Sequence, residues 1–212
     1  MRVAVFGAGY VGCVTAACLA GWGHDVWLSE ISPEKLAILR AGKSPVFEPG
    51  LDDELGAHLR TGRIRPLAGV ADALVATELC LVCLGTPGQD DGLPDLTQFR
   101  GLLTEIADAL AGRPQPYTVV LRSTVPAPQL RQELLPLMEA RLGSRFGQEV
   151  QFALNPEFLR EGKALEDFRR PPFVVVGTEH PEAAQAVAAP SLTSWPSWRT
   201  TRRPRPRKAS IS

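Results

Sequence analysis

VAVFGAGYVGCVTAACLAGWGHDVWLSE runs from Val3 to Glu30, and its order of residue types implies one architecture. A short apolar run meets three glycines, a stretch of small side chains follows, and a second apolar run ends on a carboxylate. Gly7, Gly9 and Gly12 fit G-x-G-x-x-G. Alone that pattern is weak; between a strand and a helix, at the head of a βαβ unit, it reads as a dinucleotide-binding turn. Gly7 permits the tight turn, Gly9 lets a pyrophosphate approach the backbone, and Gly12 allows the helix to pack closely, helped by Ala16 and Ala17. Free N–H groups and the positive helix end then favour phosphate. Glu30 ends the second strand, where a carboxylate accepts hydrogen bonds from ribose hydroxyls and repels a 2′-phosphate. The expected cofactor is therefore NAD rather than NADP.

The pattern continues along the chain. Strands are predicted at RVAVFG, DVWLSE, IRPLAG, LCLVCLGT, YTVVLRST, VQFALNPEF and PFVVVGT. Helical patterns separate them, among them SPEKLAILRAG with Ser32 as N-cap and Pro33 at its first position. LTQFRGLLTEIADALAG is strongly amphipathic, and PAPQLRQELLPLMEARLG reads as one helix. Strands alternating with helices imply right-handed crossovers and an α/β, Rossmann-like, doubly wound parallel sheet. The domain spans residues 1–187. From Pro190 the texture changes: four prolines, two of the four tryptophans and no periodicity. Residues 188–212 read as a disordered, basic tail, of the kind an out-of-frame extension produces.

The chain has 212 residues and no formal net charge, but six basic residues and no acid lie in the last fourteen, leaving the rest at −6. An acidic body is a poor nucleic-acid partner. No apolar run reaches the ~18 residues of a membrane span, and the N-terminus has no cleavable leader pattern. A cytoplasmic protein is expected. Cys80 and Cys83 resemble a CxxC motif but lie on a strand, where positions three apart face opposite ways. Cys13 and Cys18 are about 140° apart on a helix. All four read as buried small hydrophobes, although Cys13 at a helix N-terminus is placed for a lowered pKa. No metal site is expected.

Further motifs end later strands. CLGTP (Cys83–Pro87) and RSTVP (Arg122–Pro126) place the hydroxyls of Thr86, Ser123 and Thr124 at strand carboxyl ends, where open α/β sheets bind ligands. NPEFLREG (Asn155–Gly162) carries Glu157 and Glu161 four apart; on a helix they would share a face.

With GKSPVFEPGL (Gly42–Leu51), these motifs together resemble the UDP-glucose/GDP-mannose dehydrogenase family, over its N-terminal NAD-binding domain. GKSP and DFRRPPFVVVG lean toward the GDP-mannose branch. The resemblance implies oxidation of the C6 alcohol of a nucleotide-linked hexose to a carboxylate, with two NAD reduced in succession. It assigns NAD contacts to Gly7, Gly9, Tyr10, Val11, Gly12, Glu30, Lys35, Thr86, Ser123, Thr124 and Glu161. It assigns acid–base work through water to Glu157, with Thr124 nearby, and sugar contacts to Glu157, Phe158, Leu159, Arg160 and Glu161. It also implies a homodimer built on a long central helix, a lysine and asparagine on that helix, and a nucleophilic cysteine in a Gly-Gly-Ser-Cys-type motif. These do not occur in this sequence, so the chain is expected to be a truncated, inactive half. Two other readings remain open: a different Rossmann dehydrogenase, and a non-catalytic NAD-binding module.

Overall fold

A computed structural model describes residues 1–88, 94–188 and the backbone of 199–201. In chain order the strands are β1 (Arg2–Phe6), β2 (Asp25–Ser29), β3 (Ile64–Leu67), β4 (Leu79–Val82), β5 (Tyr117–Leu121), β6 (Val150–Leu154), β7 (Val175–Gly177) and β8 (Arg199–Thr201). The helices between them are α1 (Tyr10–Gly21), α2 (Pro33–Arg40), α3 (Leu51–Arg60), α4 (Val70–Ala76), α5 (Thr97–Ala111), α6 (Ala127–Gln129), α7 (Leu135–Leu142), α8 (Ala164–Arg169) and α9 (Pro181–Ala188).

The strands form one sheet in the order β3-β2-β1-β4-β5-β6-β7-β8, the first six parallel. The order reverses between β1 and β4, and that switch point opens a crevice at the strand carboxyl ends. Alternation along each strand feeds two cores. Val3, Val5, Leu79 and Leu81 face α1, α3, α8 and α9. Ala4, Phe6, Cys80 and Val82 face α4, α5 and α7. Cys80 and Cys83 thus fall in different cores, as the strand period requires.

Three expectations need correction in detail. The sheet is not wholly parallel: β7 pairs antiparallel with β6 through Leu154 and Gly177. The connection from β6 to β7 carries only α8, which packs against α1 beside Trp22 rather than making a full crossover. The helix expected over 126–143 is interrupted by a π-helical turn, Leu130–Leu134. Pro136 lies just beyond, and its missing N–H and its ring upset the regular ladder there. Finally, the segment after β6 is not helical from Pro156 to Arg160, so Glu157 and Glu161 do not share a helix face. The expected tail falls almost wholly outside the described residues; within it, Arg199–Thr201 runs parallel to β7.

Candidate functional site: the carboxyl edge of the sheet

The glycine turn joins β1 to α1. Gly7 has φ +97°, a left-handed conformation that favours glycine, and a Cβ there would lie 2.9 Å from the Cys83 carbonyl oxygen. A Cβ on Gly12 would lie 1.8 Å from the Gly7 carbonyl oxygen. The first turn of α1 therefore rests on the turn's own backbone, a closer approach than strand packing alone would need. Gly9 differs from both. It is the N-cap of α1 in extended conformation, and a Cβ there would meet no atom within 4 Å. No side chain caps the helix, and its first bond back to the cap comes from Cys13 N–H to Gly9 O. The N–H groups of the first turn and the space beside Gly9 form a cradle for an anion.

Glu30 follows β2 directly and is 7% exposed. The Ala8 N–H donates to its Oε2 at 2.9 Å and the Ser32 N–H to its Oε1 at 2.9 Å. Lys35 Nζ lies 3.8 Å from Oε2. A carboxylate offers about four acceptor sites, so capacity remains for the two hydroxyls of a ribose. Ser32 caps α2 by accepting from Lys35 N–H, with Pro33 next, as expected. Open cradle and acidic partner on one turn fit a dinucleotide.

Thr86 follows β4; Ser123 and Thr124 follow β5; Glu157 to Glu161 follow β6. All the residues singled out in the sequence therefore come to the same edge of the sheet. Thr86 is half-buried and Thr124 exposed. Ser123 is buried, and its hydroxyl donates to the Leu84 carbonyl at 2.5 Å, tying β5's end to β4's. Glu157 is half-buried and its Oε2 accepts from Leu159 N–H at 2.6 Å. Phe158 is exposed and stacks edge-on against Phe173 at 4.7 Å. Glu161 is exposed, while Arg160 binds Asp167 through its backbone N–H and its guanidinium.

Four residues that the sequence reading left without a role organise this edge. Glu48, 5% exposed, accepts from Tyr10 Oη at 2.5 Å, Gly162 N–H at 2.8 Å and Ala164 N–H at 2.8 Å. Burial alone would raise its carboxyl, but those hydrogen bonds outweigh it and hold the group below the usual carboxylate range. The Tyr10 hydroxyl is pushed up, first by burial and then by Glu48. Arg122, 5% exposed, donates to Asn155 Oδ1 at 2.7 Å and stacks over Phe168 at 5.1 Å. Its Nε lacks a partner, and burial lowers its pKa despite the negative charge of Glu157 nearby. Asn155 in turn donates to the Val175 carbonyl, and Asp167 anchors Arg160. Glu48 and Arg122 stand inside conspicuous motifs, but Glu48's partner Gly162 is 114 residues away and Arg122's partner Asn155 is 33 away. Only the fold joins them.

The cysteines take no part in this edge chemistry. All four are buried and free of disulfides. Burial pushes the thiols of Cys13 and Cys18 up to about 12 and that of Cys83 up to about 11, and it raises Cys80 further. The lowered pKa considered for Cys13 is therefore reversed: desolvation outweighs the helix N-terminus. Among the described residues no helix is long and apolar enough to cross a membrane.

Residues 1–190 match the sequence model of the UDP-glucose/GDP-mannose dehydrogenase family, NAD binding domain. A GDP-mannose 6-dehydrogenase from Azotobacter vinelandii is 40% identical over 177 residues, covering 84% of this chain and 41% of that protein. A UDP-glucose 6-dehydrogenase from Pseudomonas aeruginosa is 39% identical over 189 residues, covering 88% of this chain and 41% of that protein. The crystal structure of a ternary complex of GDP-mannose dehydrogenase from Pseudomonas aeruginosa superposes with a TM-score of 0.89 at 32% identity, over 96% of this chain and 46% of that one. The chain thus spans about 41% of the length of these curated relatives. Turn, acid, strand order and strand-end motifs agree with that match, and the chain belongs to the UDP-glucose/GDP-mannose dehydrogenase family of NAD-dependent oxidoreductases, corresponding to its N-terminal NAD-binding domain.

Proposed function

We propose that this chain binds NAD along the carboxyl edge of β1, β2, β4 and β5 and serves as the cofactor half of a nucleotide-sugar 6-dehydrogenase. The N–H groups of Tyr10, Val11 and Gly12 hold the pyrophosphate beside Gly9. Glu30 accepts the adenosine ribose hydroxyls, with Lys35 balancing its charge. Thr86, Ser123, Thr124 and Glu161 line the path toward the nicotinamide. Bound there, NAD supplies the hydride acceptor. Glu157, after β6, moves a proton through water next to Thr124, and the 158–161 segment faces the sugar; alcohol oxidation needs such a base as hydride leaves. The substrate class is a nucleotide-linked hexose, with GDP-mannose favoured over UDP-glucose by the GKSP and DFRRPPFVVVG motifs. Four free thiols suit a reducing compartment, so we place the protein in the cytoplasm.

The observation that carries this reading is the Glu30 carboxylate bonded to Ala8 N–H, which fixes an acid beside the open glycine cradle. The test is calorimetric titration with NAD and with NADP. NAD should bind at least about tenfold more tightly, equal to about 1.4 kcal/mol, because a 2′-phosphate would face Glu30. Equal affinities would remove Glu30 from the ribose site, and binding of neither would overturn the cofactor assignment.

A further inference from the structure

The segment after β6 that carries Glu157 and the sugar-facing residues has no regular backbone structure from Pro156 to Arg160. Its shape must come from elsewhere, and two buried carboxylates supply it. Asp167 accepts from Arg160 N–H at 2.9 Å. Glu48 accepts from Gly162 N–H and Ala164 N–H at 2.8 Å each. Between them Gly162 turns with φ +80°, a conformation in which glycine is favoured. Glu48 does not belong to this segment; it lies in the loop between α2 and α3, and its third donor is the Tyr10 hydroxyl at 2.5 Å. Tyr10 is the first residue of α1, immediately after Gly9. The same hydroxyl reaches the Arg160 carbonyl at 3.5 Å. One carboxylate therefore joins the phosphate-facing turn of α1 to the far end of the sugar-facing segment.

We propose that Glu48 is a positioning residue that couples the two halves of the site, so that NAD at the α1 turn and order in residues 157–164 rise together. This rests on the NAD reading above. A pyrophosphate bonded to the first-turn N–H groups fixes the α1 terminus, and with it the Tyr10 ring. A fixed Tyr10 holds the Glu48 oxygen that Gly162 also uses. Whichever ligand arrives first meets the ordering cost, and the other finds the segment set; the linkage is reciprocal. In this role Glu48 acts through Tyr10, Gly162 and Ala164, whose hydrogen bonds it accepts.

The test is hydrogen exchange read by mass spectrometry on the whole chain, with and without saturating NAD, with calorimetry on the same samples. In the unsubstituted protein NAD should slow exchange across 157–164 at least about threefold, beyond its effect on the α1 turn. Glu48→Gln removes one of the two acceptor oxygens and should abolish that NAD-dependent slowing. Tyr10→Phe should abolish it too, yet leave the NAD-free exchange of Gly162 and Ala164 unchanged, because Glu48 still accepts from both. A merely structural Glu48 predicts an intact NAD response in Tyr10→Phe, whatever Glu48→Gln does to exchange in the absence of NAD. Binding of NAD without any slowing at 157–164 would overturn the coupling and leave the cofactor reading standing. Absence of NAD binding in calorimetry would overturn both.

Discussion

Glu48 and Glu30 show two ways in which a buried carboxylate enters a site. Glu30 could be singled out from its place after β2, because a dinucleotide turn predicts an acid at that distance, and the fold sets it against Ala8 N–H. Glu48 could not, because what gives it a role is three donors from distant parts of the chain, Tyr10, Gly162 and Ala164. Its ionisation is worth testing. Its folded pKa is depressed from an ordinary value near 4.5, so its stabilisation is present above that value and lost as pH falls through the folded pKa. Glu48→Gln should be less stable than the unsubstituted protein in urea near pH 7, because a carboxamide offers fewer acceptors. The gap should narrow as pH falls from about 7 to about 3, since a protonated Glu48 resembles glutamine. A gap that stays constant over that range would mean Glu48 does not ionise as its partners imply.

At the start of α1 the glycines divide by what their missing side chains meet. The small-residue helix and its close packing were legible, since Gly12, Ala16 and Ala17 cannot serve a loosely packed helix. The non-helical stretch after β6 was harder to read. Its two carboxylates four apart suggest a helix face, but Glu157 accepts from Leu159 N–H and Asp167 from Arg160 N–H, supplying bonds that a helix would otherwise make. Pro156 also biases Asn155 toward extended backbone. The turn yields a paired prediction. Gly12→Ala puts a methyl 1.8 Å from the Gly7 carbonyl oxygen, so the turn must open. It should cost at least about 2 kcal/mol, lowering the thermal midpoint by roughly 4–8 °C. Gly9→Ala meets nothing within 4 Å and keeps an extended cap, so the midpoint should hold while NAD affinity falls below detection. A Gly9→Ala protein that melts normally and still binds NAD would show that the pyrophosphate does not pass this position.

The sheet order, the two cores and the family match agree on an N-terminal NAD-binding domain, and its thiols bear on what the chain does by itself. Alternating hydrophobic strands and amphipathic helices made the doubly wound sheet legible; the antiparallel β7 was not, because its pairing depends on how little chain α8 uses to return. The family resemblance implies that the second oxidation runs through a thioester on a cysteine, a route that requires a thiolate beside the nicotinamide. This chain has four thiols, and each is buried in the packing of the sheet. Burial pushes Cys13 and Cys18 up to about 12 and Cys83 up to about 11, so none is a thiolate near neutral pH. A thiol reagent at about pH 8 should therefore modify the folded chain slowly and release all four sites in denaturant. The same burial predicts that purified chain incubated with NAD and either GDP-mannose or UDP-glucose forms no uronic acid and does not reach two NADH per sugar, even where calorimetry finds NAD bound. Sustained turnover with two NADH formed per sugar would overturn this, and a cysteine-by-cysteine replacement with serine would then identify which buried thiol the packing releases.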